Sequence, residues 1–164
     1  MRYASIDGFD VVNGVDVGIS VYTQGCPHHC TNCFNPETWD FNSGYEWTKN
    51  EEDKVILLLN NPYIKRLTIL GGEPLIEHNK NALQDLLKRV KILYPDKKIW
   101  LYTGDIYENV KDKFYDVLKY VDILVDGEYI DSLRDITLEF RGSSNQRIID
   151  VQKSLQQNKT ILVK

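Results

Sequence analysis

The stretch VGISVYTQGCPHHCTNC, residues 17–33, joins an alternating apolar run to every cysteine of the chain. In VGISVY, residues 17–22, larger apolar residues alternate with smaller or polar ones, a pattern that predicts a β-strand. The thiols of Cys26, Cys30 and Cys33 follow directly, with the spacing CxxxCxxC. The stretch therefore predicts a sheet and, in the loop after one of its strands, a candidate site.

Strands and helices alternate along the rest of the chain. The pair Asn13-Gly14 favours a hairpin turn before the first of these strands, because both residues tolerate positive φ. Apolar periodicity and capping signals predict further strands at 66–70, 98–102, 121–125 and 160–163, and helices at 48–60, 107–119 and around 83–90. This alternation predicts an α/β fold of parallel βαβ units, whose crossovers are right-handed.

Polar or glycine-rich loops follow four of the predicted strands. They are CPHHCTNC at 26–33, GGEP at 71–74, Thr103-Gly104 and Asp126-Gly127. Because sites in such folds lie at the carboxyl ends of the strands, we expect these loops to converge. A complete eight-unit barrel takes about 200 residues or more. The 164 residues therefore predict a single domain, residues 1–164, with a mainly parallel sheet that forms a partial (βα) barrel open on one side.

Composition excludes several classes of partner. The net charge is −4, the sequence pI is about 5.4, and Lys and Arg are mixed with acids, which argues against nucleic acid. The longest apolar runs, such as VILLL at 55–59, are far shorter than the roughly 18 residues of a membrane span. MRYASIDGFD at the start lacks the apolar region of a signal peptide, so the expected location is the cytoplasm.

The three thiols admit more than one kind of site. A disulfide framework needs paired cysteines and an oxidising compartment, and the sequence predicts neither. Structural zinc remains open, because His28 or His29 could complete a Cys₃His set. An iron–sulfur cluster also remains open. Such clusters normally take four cysteine ligands, so three would leave one iron without a protein ligand and free for chemistry.

The spacing CxxxCxxC with GGEP one βα unit later resembles the radical S-adenosylmethionine (SAM) enzymes. Within that superfamily the chain is similar to the glycyl-radical-enzyme activases that serve anaerobic ribonucleoside-triphosphate reductase. The stretches that carry this closer likeness run through nearly the whole chain: VVNG at 11–14, GCPHHCTNCFNPETW at 25–39, GGEPL at 71–75, WLYTG at 100–104, LVDGEY at 124–129 and RGSSNQR at 141–147. One position departs from the superfamily pattern, since the residue before the third cysteine is Asn32 rather than an aromatic residue.

The resemblance implies the cofactors and their ligands. Cys26, Cys30 and Cys33 would hold a [4Fe-4S] cluster, and its open iron would bind SAM and deliver one electron to it. The resulting 5′-deoxyadenosyl radical is cofactor chemistry, so no side chain is expected to be catalytic itself. The residues expected to surround SAM are Asn32, Cys33, Phe34, Gly71, Gly72 and Glu73, with Tyr102, Thr103 and Asp126 on the later loops. Glu73 is expected to accept from the α-ammonium group of SAM.

The resemblance also implies partners. The radical would take hydrogen from a glycine of the large subunit of anaerobic ribonucleoside-triphosphate reductase, and an electron donor such as a flavodoxin-type protein would reduce the cluster. The residues that could shape the docking rim are Arg141, Asn145, Gln146 and Arg147.

Two other functions stay open from the sequence. A small-molecule radical SAM enzyme, for example one of deazapurine biosynthesis, would share the cluster and GGEP but is not expected to carry RGSSNQR. A zinc-stabilised binding module would share only the cysteines.

Overall fold

Seven strands form one sheet in the computed structural model, which describes residues 1–163. The strands are β1 Arg2–Asp10, β2 Gly18–Thr23, β3 Tyr45–Glu46, β4 Arg66–Gly71, β5 Lys98–Tyr102, β6 Ile123–Asp126 and β7 Arg147–Asp150. The helices are α1 Lys49–Leu59, α2 Lys80–Leu93, α3 Tyr107–Val110, α4 Tyr115–Leu118 and α5 Val151–Gln157. The strand order in the sheet is β3-β1-β2-β4-β5-β6-β7.

The centre of the sheet is parallel and its edges are antiparallel. The pairs β2–β4, β4–β5 and β5–β6 are parallel, as the alternation of strands and helices predicts. The pairs β1–β2, β1–β3 and β6–β7 are antiparallel, so the sheet is mixed. The partial barrel stays a prediction. Because β2, β4, β5 and β6 run in the same direction, the loops that follow them emerge at one edge.

Helices cover one face of the sheet. Side chains of a strand alternate between the two faces, and on the covered face Ile19, Val21, Leu67, Ile69 and Leu101 are all buried. The apolar side of α2 packs there through Leu83, Leu86, Leu87 and Val90, and α1 contributes Val55 and Leu59. The helix α1 begins at a capping box in which Thr48 and Glu51 satisfy each other's backbone amides, as the sequence predicts.

The other face of the sheet carries a buried ion pair. Arg66 is 0% exposed, and its guanidinium donates to the Asp10 carboxylate at 3.1 Å and to the Asp10 carbonyl at 2.9 Å. It also donates to the carbonyls of Val15 and Asp16, each at 3.1 Å. Burial alone would raise the pKa of Asp10, but hydrogen bonds, including one from Ser20, and the Arg66 charge hold that pKa below its ordinary value. The pair therefore ties the β1–β2 connection, residues 11–17, to β4.

Three expectations about secondary structure need correction. The helix expected at 107–119 is two short helices, α3 and α4, because the intervening turn leaves the α pattern, with Tyr115 N donating to Asp112 O at 3.4 Å. The strand expected at 160–163 is reduced to a single bridge between Leu162 and Ile149. The sequence also predicts no strand at 147–150, yet Arg147, the last residue of RGSSNQR, begins β7, and α5 follows it.

No helix in the described part of the chain is both long and apolar enough to cross a membrane.

Candidate functional site

Loops after four parallel strands line one cavity of about 150 Å³. The cysteine loop supplies all three thiols, the loop after β4 supplies Gly71 to Glu73, the loop after β5 supplies Thr103 and Gly104, and the loop after β6 supplies Gly127. The convergence expected from the sequence is confirmed. Parallel pairing explains it, because Thr23 lies opposite Gly71 in the register of β2 and β4.

Backbone hydrogen bonds fasten the cysteine loop to the loop after β4. Glu73 N donates to Gly25 O at 2.8 Å, and Gly72 N donates to Thr23 O at 2.9 Å. A Cβ on Gly72 would overlap the carbonyl oxygen of Gly25, and one on Gly71, whose φ is +108°, would lie 2.6 Å from Thr23 N. The two glycines are therefore already required by the contact between the loops.

Glu73 ties three loops together. It is 1% exposed, and each carboxylate oxygen accepts two hydrogen bonds. One oxygen accepts from Leu75 N at 2.9 Å and Thr103 Oγ1 at 2.8 Å. The other accepts from Gly104 N at 2.8 Å and lies 2.9 Å from His28 Nε2. All four acceptor positions of the carboxylate are occupied within the chain, so the expected contact with an α-ammonium group would require one of these bonds to break.

The thiols have different surroundings. Cys26 is buried, and burial raises its pKa. Cys30 Sγ lies 3.6 Å from Glu128 Oε1, and burial together with that carboxylate raises its pKa to about 11. Cys33 Sγ accepts from Asn35 N at 3.4 Å.

The spacing of the thiols fits a cluster better than a single ion. Within residues 1–163, the group of three ligand atoms that lie within 4.8 Å of one another is His28, Glu73 and Asp105, in which His28 is already hydrogen-bonded to Glu73. The three thiols line the same cavity but do not form such a group. A tetrahedral zinc ion with bonds of about 2.3 Å would need sulfurs roughly 4 Å apart. A cluster that bonds a different iron to each thiolate takes a wider set.

Comparison with known proteins agrees with a cluster site at the three thiols. Residues 12–149 match the family described as a 4Fe-4S single cluster domain. The chain is 41% identical over 150 residues to the anaerobic ribonucleoside-triphosphate reductase-activating protein of Vibrio cholerae, covering 90% of this chain and 97% of that protein. The proteins of the same name from phage T4 and Escherichia coli K12 are 38% and 36% identical, over 90% and 89% of this chain and 93% and 96% of their own length.

The chain belongs to the anaerobic ribonucleoside-triphosphate reductase-activating protein family. The resemblance seen in the sequence is thereby confirmed, and the cysteine loop lies within the span of the 4Fe-4S cluster domain. An iron–sulfur cluster held by the three thiols is consistent with both the match and the geometry. The zinc-stabilised module has no support from either.

Of the other residues expected around SAM, two line the cavity and two bond elsewhere in the chain. Phe34 and Tyr102 line the cavity. Asn32 turns away, since its side chain donates to Asp131 at 2.8 Å. Asp126 is fully buried and accepts from Tyr107 N at 2.8 Å and from Arg147 at 2.5 Å. The sequence could not show that Asn32 and Asp126 point away from the cavity while Phe34 and Tyr102 line it. The residues that bond to Asn32 and Asp126 are distant in sequence.

The RGSSNQR stretch is mostly a self-bonded turn in this family member. Gln146 Oε1 accepts from Gly142 N at 2.8 Å and its Nε2 donates to Gly127 O at 2.9 Å, while Asn145 Nδ2 donates to Glu128 O at 2.8 Å. Arg147 pairs with Asp126 and Glu108. The side chains of Asn145, Gln146 and Arg147 are therefore bonded within the chain, and the docking role expected of them stays a prediction. Arg141 is different, and lines a neighbouring groove.

Several cavity residues of this family member were not expected from the sequence. Asn35, Trp39 and Tyr129 all line the cavity, as does His28, which the sequence offered only as a zinc ligand. The hydrogen bond to Glu73 raises the pKa of His28, although burial opposes it. The ring of Trp39 stacks on His29 with centroids 4.6 Å apart. For His28, Asn35 and Trp39 the position close to the cysteines was the available signal, whereas the directions of their side chains and the place of Tyr129 follow from no local pattern.

Proposed function

We propose that this chain is an iron–sulfur, SAM-dependent activase that removes a hydrogen atom from a glycine of the large subunit of anaerobic ribonucleoside-triphosphate reductase. The observation that carries the proposal is the set of three thiols, spaced wider than one metal ion needs, at the edge where four parallel strands end. The named relatives, alike over nearly their whole length, supply the substrate.

When bound, the cluster supplies one electron for reductive cleavage of SAM, which yields methionine and a 5′-deoxyadenosyl radical. The chain holds the reacting partners. Cys26, Cys30 and Cys33 would ligate three irons, and Gly71 and Gly72 would let a ligand approach backbone closely because they carry no Cβ. Phe34 and Tyr102 line the same cavity and would offer aromatic surface to the nucleoside part of SAM.

Glu73 contributes to the proposed reaction by fixing geometry. Its bonds to Thr103, Gly104 and His28 hold the loops after β4 and β5 against the cysteine loop. A misplacement of about 1 Å at a reacting centre can cost roughly a hundredfold in rate. Rigid loops around the cavity would therefore keep the radical close to its target and away from other hydrogen donors.

The proposal also covers the fold type, the electron donor and the cellular location. The mixed sheet would form the partial barrel expected of a radical SAM fold, with one side open to a protein substrate. A flavodoxin-type protein would supply the electron, and the cytoplasm would be the location. A small-molecule radical SAM activity remains the second candidate, but no observation beyond the shared cluster motif favours it.

The deciding experiment mixes reduced, anaerobically reconstituted protein with SAM and the large reductase subunit and records an electron paramagnetic resonance spectrum. We expect a glycyl radical on the reductase, and none when SAM is omitted or when Cys30→Ala protein is used. Iron and sulfide analysis of the same sample should give a cluster. A colourless protein holding one zinc ion, or SAM cleavage with no radical on the reductase, would overturn the proposal.

A further inference from the structure

A groove of about 430 Å³ opens beside the cofactor cavity. The two spaces share Phe34, Asn35, Leu70 and Tyr102 in their walls, so the groove leads directly to the cavity. Two segments form its sides, residues 12–13 of the β1–β2 connection and residues 134–142 before β7. We call this space the groove.

The sides of the groove expose apolar side chains. Ile136 is 86% exposed and Val12 is 71% exposed, although each lines the groove. Apolar side chains that surround a concavity are typical of protein interaction sites, whereas isolated ones carry no such meaning. An apolar segment of another protein would remove both from water.

One side of the groove is held rigidly. Asn13 O accepts from Thr68 Oγ1 at 2.9 Å, and Asn13 Nδ2 donates to Tyr22 OH at 3.0 Å. Arg66 lies behind the same segment, so closely that a Cβ on Gly14 would be 2.5 Å from its Cδ. The buried network therefore fixes Val12 before any partner arrives, which lowers the entropy cost of binding.

The other side of the groove offers an unused donor. Arg141 Nε is buried and has no hydrogen-bond partner in the part of the chain that the structure describes, while Nη1 donates to Gln146 O at 3.2 Å. Leaving a buried donor unpaired costs free energy. Because Nε is closed to solvent in the free protein, a small shift of the Arg141 side chain would let an occupant's carbonyl oxygen accept from it and recover that cost.

We propose that the groove binds the glycine-bearing segment of the reductase in an extended conformation, with apolar side chains against Val12 and Ile136 and a backbone carbonyl on Arg141. The inference rests on the proposed function, because the occupant is the substrate named there. An extended chain supplies what the two sides lack, namely apolar cover and a hydrogen-bond acceptor. Its direction along the groove leads the glycine to the wall shared with the cofactor cavity.

The test compares Ile136→Glu with Leu57→Glu. Both side chains are exposed, but Leu57, 74% exposed, lies on α1 on the opposite face of the sheet. Two quantities are measured, the affinity for the reductase by calorimetry and the glycyl radical yield as a function of reductase concentration. We expect Ile136→Glu to weaken both by tenfold or more and Leu57→Glu to change neither by more than twofold. Arg141→Lys, which keeps the charge and removes Nε, should weaken binding by several fold.

The possible outcomes distinguish the docking role of the groove from the proposed reaction. Equal affinities for Ile136→Glu and Leu57→Glu would overturn the groove as the docking site. Reductase-independent SAM cleavage that fell together with radical yield in Ile136→Glu would assign the groove to SAM and would also overturn the inference. If unaltered protein bound the reductase without forming a radical, and Ile136→Glu still weakened binding, the groove would stand and the proposed reaction would fail.

Discussion

The cofactor cavity and the groove beside it differ in how their polar groups are used. In the cavity, both oxygens of Glu73 are fully occupied by bonds within the chain. In the groove, Arg141 keeps a buried donor unpaired among the described residues, and Val12 and Ile136 remain exposed. The cavity is thus organised by the fold alone, whereas the groove is completed only by a partner. Substitutions should expose this difference, since cavity changes act on the isolated protein and groove changes act only with the reductase.

The largest effect is expected from the thiols. Cys26→Ala, Cys30→Ala and Cys33→Ala should each abolish reductive SAM cleavage, because two thiolates cannot place the cluster with its open iron. Circular dichroism should show that the fold suffers far less, since Cys30 and Cys33 are only partly buried. The measurement is iron, sulfide and methionine release after anaerobic reconstitution. A variant with a full cluster and normal cleavage would show that its thiol is not a ligand.

Gly72→Ala should distort the cavity through a clash with the backbone of the cysteine loop. The added Cβ would overlap Gly25 O, and backbone cannot move aside as a flexible side chain can. We expect a loss of about 1–3 kcal/mol in the free energy of unfolding by urea, together with lower iron incorporation. Gly8→Ala is the control, since its Cβ would meet Leu58 at an ordinary 3.5 Å. If both variants were equally stable, the contact between the two loops would not be the constraint that we describe.

Glu73→Gln tests whether the carboxylate holds loops or holds SAM. The amide NH₂ would replace one oxygen and face backbone N–H donors, leaving buried groups unpaired at a cost of about 1–3 kcal/mol. We expect the protein without cofactors to lose that stability, whereas Glu77→Gln, at an exposed position, should change it little. Unaltered stability with a weaker affinity for SAM would instead restore the α-ammonium contact predicted from the sequence.

The smallest expected effect is a change in stability at acid pH, which arises from an ion pair outside the cavity and the groove. A hydrogen bond from Arg147 lowers the pKa of Glu108 to about 2, although burial opposes it. Because this folded-state pKa lies below the unfolded value, the pair stabilises the protein at neutral pH and loses that contribution as pH falls from about 4.5 towards 2. Glu108 is partly exposed, so solvent screening keeps the effect modest. Glu108→Gln should flatten this part of the stability–pH curve, and an unchanged slope would contradict the assignment.

Sequence predicted what depends on local pattern and on strand direction. The central parallel strands, the capping box of α1, the apolar side of α2 and the meeting of four loops all follow from periodicity and from the rule that parallel strands end at one edge. The three thiols proposed as cluster ligands could be named from the sequence because the chain has only three cysteines.

Side-chain partners distant in sequence were not accessible. Glu73 bonds to Gly104, 31 positions away, and Arg147 pairs with Glu108, 39 positions away. No local pattern specifies which of several polar groups a carboxylate or guanidinium meets after folding. For the same reason, the sequence did not show that most polar groups of RGSSNQR bond within the chain, and its docking role stays a prediction. The strand β7 was missed because four residues give too short a pattern.

The buried Arg66–Asp10 ion pair limits how far the amino terminus can be truncated. The family match begins at residue 12, two residues after the aspartate. Removing one partner of a buried ion pair costs about 3–5 kcal/mol, because the remaining charge stays desolvated. Trimming the protein to the matched span would remove Asp10 and leave the guanidinium without its carboxylate partner. The shortest polypeptide that keeps this ion pair therefore extends towards the amino terminus beyond the span matched by the family model.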